Sequence, residues 1–314
     1  MTNLKKIGLT ALAASLVTTS AFAGEMSVAG SASMGVKNTT GTADPSSGKS
    51  WTMGNQLTFS GGGELDNGLN VSLSFVLDQA DDSTTGLANS PFDGHSVTIS
   101  SDALGTLKFS GEGGSSAQSA MDTTAAGDIW NNGLGMASVS AAAAGNNSLF
   151  YTLPAMMDGV AITASMSPGR AAQETHTSYG LVYTGVEGLT VKFGQGDSGA
   201  PGAEIESTTM MASYAIGSFT VSASNTEADK TGAANEEVDS FQIAYTVTDD
   251  LSVTYGEETF ETVGSATDEE VESFGVSYTT GGMTLSANTY EGTGAGNTAG
   301  AKTERWALSA AFAF

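Results

Sequence analysis

Chemistry in a chain without cysteine must come from hydroxyls, histidines, carboxylates and amines. Gly196-Asp197-Ser198-Gly199 has the make-up of a serine nucleophile segment. Acyl transfer from such a serine needs a histidine base and a buried acid placed around it. There are two histidines, His95 in Asp-Gly-His-Ser and His176 in Thr-His-Thr, and neither context suits that base. The tetrapeptide therefore reads as a turn between strands. Gly292-x-Gly294-x-Gly296 is no dinucleotide fingerprint, because no helix follows and no strand-helix-strand unit surrounds it. Two distant histidines without a third ligand give no transition-metal site. No residue is assigned a catalytic role.

Carboxylates are the one abundant reactive group. Glu257, Glu258, Glu261, Asp268, Glu269, Glu270 and Glu272 form an acidic run. Oxygen ligands of this kind hold Ca²⁺ or Mg²⁺, and on an outer loop such ions would bridge to lipopolysaccharide phosphates. The blander reading is a solvated anionic loop, and no spacing here matches a defined calcium loop. Weak binding of Ca²⁺ or Mg²⁺ at acidic loops is the only cofactor expectation. The whole chain is acidic, with 10 Lys+Arg against 34 Asp+Glu and a formal charge of −24. A nucleic-acid partner is excluded, since phosphate affinity needs basic patches.

The elements that would position these groups are strands. Residues 1–23 read as a cleaved secretory signal peptide, with Lys5 and Lys6 before an apolar stretch and Ala21-Phe22-Ala23 at the cleavage site. The mature chain, 24–314, alternates with a period of two. Met26, Val28, Ala32, Met34 and Val36 share one face of the first segment, and Ser27, Ser31, Ser33 and Lys37 the other. Sixteen such segments are expected, near 26–37, 51–64, 69–77, 95–101, 106–111, 147–153, 160–167, 175–184, 189–194, 205–215, 219–224, 238–247, 251–256, 271–279, 283–290 and 303–314. Tight turns alternate with longer polar connections such as 225–237, 257–270 and 291–301. An even count puts both ends on the side of the short turns, the layout of an antiparallel transmembrane β-barrel.

A soluble sandwich also alternates, so the aromatics decide. Phe59, Tyr151, Tyr183, Tyr214, Tyr245, Tyr278 and Phe314 end the apolar face on strands running towards the short turns. That is a ring at one height, as where amphipathic rings meet headgroups. Trp51, Phe75, Phe193, Tyr290 and Trp306 are expected at the opposite end of the same face. The other face is Ser, Thr, Gly, Gln and Asn, which cannot pack dry, and sixteen strands leave room for water. Low charge (14%) and moderate hydrophobicity (39%) are then what a lipid-facing belt around a wet interior produces.

One stretch, 112–146, breaks the rhythm. Loops of this length are uncommon unless functional, and Met121, Ile129, Trp130, Leu134, Met136 and Val139 need something to pack against. The inner barrel wall is the natural place. Here the chain resembles the Gram-negative general-diffusion porins, through 68–75 (Gly-Leu-Asn-Val-Ser-Leu-Ser-Phe), 104–111 (Leu-Gly-Thr-Leu-Lys-Phe-Ser-Gly) and 147–154 (Asn-Ser-Leu-Phe-Tyr-Thr-Leu-Pro). The alternating end, with Trp306, Phe312 and terminal Phe314, is similar to the family's signal for the barrel-assembly machinery. The resemblance implies a third outer loop folded into the lumen, a homotrimer in outer-membrane lipid and lipopolysaccharide, and passage of small hydrophilic solutes. It also implies a constriction with acids on the loop, here Glu112, Asp122 and Asp128. Basic groups would line the wall, here Lys37, Lys108, Lys192 and Arg305. The family often carries an arginine cluster, whereas the mature chain has only Arg170 and Arg305. The excess of acid predicts cation preference. The rival readings are a secreted or surface-anchored structural or adhesive β-protein without a channel, and a barrel enzyme. The first would need a short fixed repeat, and the second a nucleophile with its base.

Overall fold

The computed structural model describes residues 26–41, 48–78, 92–121, 124–169 and 174–314. The signal-peptide stretch 1–23, Asp122 and Arg170 lie outside them. Sixteen antiparallel strands close into one barrel, each paired with its neighbour in sequence and the last with the first. They are β1 Ser27–Gly41, β2 Gly48–Glu64, β3 Asn70–Asp78, β4 Phe92–Ser101, β5 Gly105–Glu112, β6 Ser148–Thr152, β7 Val160–Ser167 and β8 His176–Val186. The second half is β9 Leu189–Ala200, β10 Ala203–Ile216, β11 Phe219–Lys230, β12 Glu236–Thr248, β13 Leu251–Thr262, β14 Glu269–Thr280, β15 Met283–Thr293 and β16 Lys302–Ala313. Closure is completed by Phe314, whose backbone exchanges two hydrogen bonds with Gly30 of β1.

Pairing fixes which side chains share a face. Val36 lies opposite Trp51 and Leu308, while Lys37 lies opposite Ser50 and Ala307. The first set points outward: Trp51 is 83% exposed and Met53 68%. Of the aromatics expected at the short-turn end, Tyr214, Tyr245, Tyr278 and Phe314 are exposed, and the Tyr245 ring lies tilted against Phe219 at a centroid distance of 4.6 Å. Large apolar side chains left bare on a closed sheet are those of a lipid-facing belt. The other row is hydroxyl-rich and includes the fully buried Ser207, Thr209 and Thr226.

The strands of the second half are taller than the alternation suggests. Ladders expected to stop at 194, 224 and 256 run on to Ala200, Lys230 and Thr262. Above the hydrocarbon both faces accept polar residues, so the two-residue signal fades while the hydrogen-bond ladder continues. Two readings change as a result. The segment Gly196-Asp197-Ser198-Gly199 is part of β9, not a turn. The acidic run is mostly strand, with Glu257, Glu258 and Glu261 on β13 and Glu269, Glu270 and Glu272 on β14.

Adjacent residues on β16 give a direct check on the two faces. Leu308 is outward and Ser309 inward. Leu308→Arg should destabilise the inserted barrel by ~2–4 kcal/mol, the range for a cation near the bilayer midplane, whereas Ser309→Arg should cost far less. Equilibrium unfolding from lipid bilayers reads both. Equal losses would mean that the faces are wrongly assigned.

Candidate pore constriction

The stretch between β5 and β6, residues 113–147 (L3), crosses the polar row of the barrel. Its neck is closed by paired backbone bonds between Gly114 and Gly145. From there it meets the wall strand by strand. The Ala117 N–H donates to Ser165 of β7 (2.9 Å) and Ser178 of β8 (2.8 Å). Ala125 donates to Ser224 of β11 and Ala126 to Ser240 of β12, each at 2.8 Å. The N–H groups of Ile129 and Trp130 share the Glu258 carboxylate of β13, at 3.2 and 2.9 Å. Ala137 reaches Glu269 of β14 at 2.7 Å. The returning limb donates from Ser140 to Glu236 of β12, whose other oxygen is 2.5 Å from Lys230.

Gln118 ties the two limbs together. Its amide donates to Thr209 of β10 (2.7 Å) and accepts from the Ala142 N–H (2.8 Å), and the side chain is wholly buried. Glycine lets the loop lie flat on the wall. A Cβ at Gly194 would stand 2.9 Å from the Gln118 Cα, and one at Gly256 2.9 Å from the Ala126 Cβ. The loop's apolar residues pack inward: Ile129 and Leu134 are buried with Ala126 and Val271, against Trp130, Met136 and Tyr290. Tyr290 was expected on the lipid face. It pairs with Ser273 and Arg305 in the inner row.

The acids and bases singled out in the sequence divide by position. Asp128 sits exposed on L3 in a left-handed conformation, its carboxylate accepting from Thr124 (3.1 Å) and the Trp130 indole (3.3 Å). Glu112 ends β5, opposite His95 across a bulge, at the root of the loop. Asp122 is outside the described residues. Lys37, Lys108, Lys192 and Arg305 all belong to the inner row. Lys37 and Lys108 stand on β1 and β5, away from the strands that seat L3. Lys192 lies on β9, next below Gly194 and so beneath the seated loop. Arg305 donates to the Asn132 carbonyl of L3. Trp306 and Phe312 are in the outward row, and Phe314 follows them, 75% exposed.

The chain matches the Gram-negative porin family over residues 8–314. It is a Gram-negative porin. Membership places it in the outer membrane as a diffusion channel, and the adhesive and structural reading falls with it. No curated protein matches the sequence. Among solved structures the porin resembles an anion-selective porin of Comamonas acidovorans, at 14% identity and TM-score 0.71, covering 92% of this chain and 99% of that one. It resembles the trimer form of OmpT of Vibrio cholerae at 15% and 0.69, covering 93% and 100%. Salmonella typhi OmpF, in complex with daunomycin, stands at 13% and 0.71, covering 93% and 98%.

The other polar groups singled out in the sequence of the porin take separate positions. His176 Nδ1 lies 2.8 Å from Asp197, but the Ser198 hydroxyl donates to the Ala141 carbonyl (3.2 Å) and not to the imidazole. The acidic run is split between faces, with Glu258 and Glu269 buried under L3 and Glu257 and Glu272 paired outward. Among the described residues no three acids or histidines converge to hold a metal ion. Sequence reasoning missed Gln118, Glu236, Glu258 and Glu269 as loop anchors. The only signal for them was parity, which puts Glu258 and Glu269 in the row of lumen residues.

Glu258→Ala removes the acceptor of two backbone N–H groups, each charge-assisted bond contributing ~1.5–3 kcal/mol. The 129–130 turn should detach, and single-channel conductance should become larger and noisier while the barrel stays folded. Unchanged mean and noise in planar bilayers would show that Glu258 does not hold the loop.

Proposed function

We propose that the chain forms a water-filled pore whose aperture is set by L3 and which passes small hydrophilic solutes and ions by diffusion, with no catalytic step. The observation that carries this reading is L3 bound across the polar wall from β7 to β14 by its own backbone N–H groups. The aperture is then the space between the loop and the opposite wall. Asp128 marks the loop side, with Asp122 earlier in the same loop sequence and Glu112 at its root, and Lys37 and Lys108 mark the far side. Lys192 and Arg305 lie with the loop and modulate its underside and its end.

The preference proposed is for cations. Inner carboxylates at Glu236, Glu258, Glu269 and Asp128 sit against few basic groups, one of which, Lys230, is already paired. The anion-selective Comamonas relative has the same fold, so the sign is set by lumen side chains and not by architecture. The leader 1–23 would be removed on export, leaving 24–314. Trp306, Phe312 and Phe314 would be read by the barrel-assembly machinery, and three copies would associate, as in the trimer form of the Vibrio relative. Outward carboxylates such as Glu257, Glu272 and Glu304 would meet lipopolysaccharide phosphates through weakly held Ca²⁺ or Mg²⁺ shared between protein and lipid.

Reversal potentials in a salt gradient test the preference. Cations should be favoured, Lys108→Glu should strengthen that bias and Asp128→Lys should weaken or invert it. A wild-type potential of anion sign would refute the assignment.

A further inference from the structure

Between L3 and the wall of β12–β14 lies a cavity of about 240 Å³. Its wall side is Val238, Phe260 and Val271, three apolar residues in a row that is otherwise mostly hydroxyl, amide and glycine. Its loop side includes Trp130 and Met136. Val238, Phe260 and Val271 are each at most 5% exposed, so the apolar body of the cavity is shielded from pore water.

Three carboxylates border the same space. Glu258 and Glu269 are nine-tenths buried or more, and Asp128 and Ser138, both exposed, stand where it opens. Among the described residues no lysine, arginine or histidine lines it. The backbone N–H groups of L3 occupy part of each buried carboxylate, but a carboxylate has about four lone-pair sites. Glu269 accepts from two backbone N–H groups, those of Ala137 and Gly296. Acceptor capacity remains at the carboxylates, beside an aromatic ring whose face attracts cations. A cavity of ~150 Å³ already holds a benzene ring, so this one admits a ring with a short polar arm.

We infer that this cavity is a binding site for small organic ammonium ions with an aryl or short alkyl body, distinct from the conducting path. The apolar part lies among Val238, Phe260 and Val271, and the ammonium donates to Glu269 or Glu258 with Asp128 at the mouth. Occupancy stiffens the segment of L3 that carries Asp128, because the ligand bridges loop and wall.

Benzylammonium is the probe, and benzyl alcohol its uncharged counterpart. In a Trp51→Phe, Trp306→Phe background Trp130 is the only indole, and its fluorescence is titrated in the folded porin. Benzylammonium should give a saturating change. Benzyl alcohol should bind at least about ten-fold more weakly, the factor that one charge-assisted hydrogen bond supplies. Val238→Phe fills the cavity from the wall and Val139→Phe from the loop, and each should abolish saturation in a barrel that still shows heat-modifiable migration. A non-saturating change, equal response to benzyl alcohol, or saturation that survives both fillings would overturn the site.

Discussion

A peptide group in hydrocarbon has no water to bond, so every N–H and C=O of a spanning segment needs a partner within the protein. For strands the only complete solution is a closed sheet, and β1 paired to β16 provides it. Closure commits each strand residue to one of two environments. Trp306 and Leu308 meet lipid, while Arg305 and Ser309 one position away meet the lumen. The low charge and high glycine content of the chain follow from that division. They would be weaknesses in a soluble domain and are requirements in this one.

The same accounting governs the loop inside. L3 has little regular structure of its own beyond short 3₁₀ turns at Ser119–Met121 and Ile129–Asn131. Its donors are met by the wall, through serines on β7, β8, β11 and β12 and carboxylates on β13 and β14. The wall in turn uses glycine at Gly194 and Gly256 to let the loop come close. The inner row is therefore two surfaces. One part is wet and carries Lys37 and Lys108. The other is dry, covered by the loop, and built like a small protein core around Leu134 and Val271.

The sixteen strands, their order and the outward aromatics were legible because lipid on one side imposes a strict period of two. Legibility ended where that contrast ended. Above the belt the outward face of β9, β11 and β13 turns polar as well, and the ladders outlast the pattern. Within the lumen, parity cannot tell a serine facing water from one facing L3, as Ser224 and Ser240 do. Tyr290 was misplaced on the lipid face because an aromatic at a strand end fits either environment, and its inner position depends on the distant residues of L3. Glu258 and Glu269 were read as a loop for the same reason: their partners lie more than a hundred residues away.

The pore depends on L3 lying in the lumen against β12, where the Ala126 N–H meets the Ser240 hydroxyl. The chain has no native cysteine, so Ala126→Cys with Ser240→Cys leaves a single pair to join. Mild oxidation of the folded protein should form that disulfide, seen as a reductant-sensitive gel shift, and the locked pore should conduct as the wild type does. Two thiols that stay free and titratable in the folded barrel, or a lock that changes conductance, would contradict it.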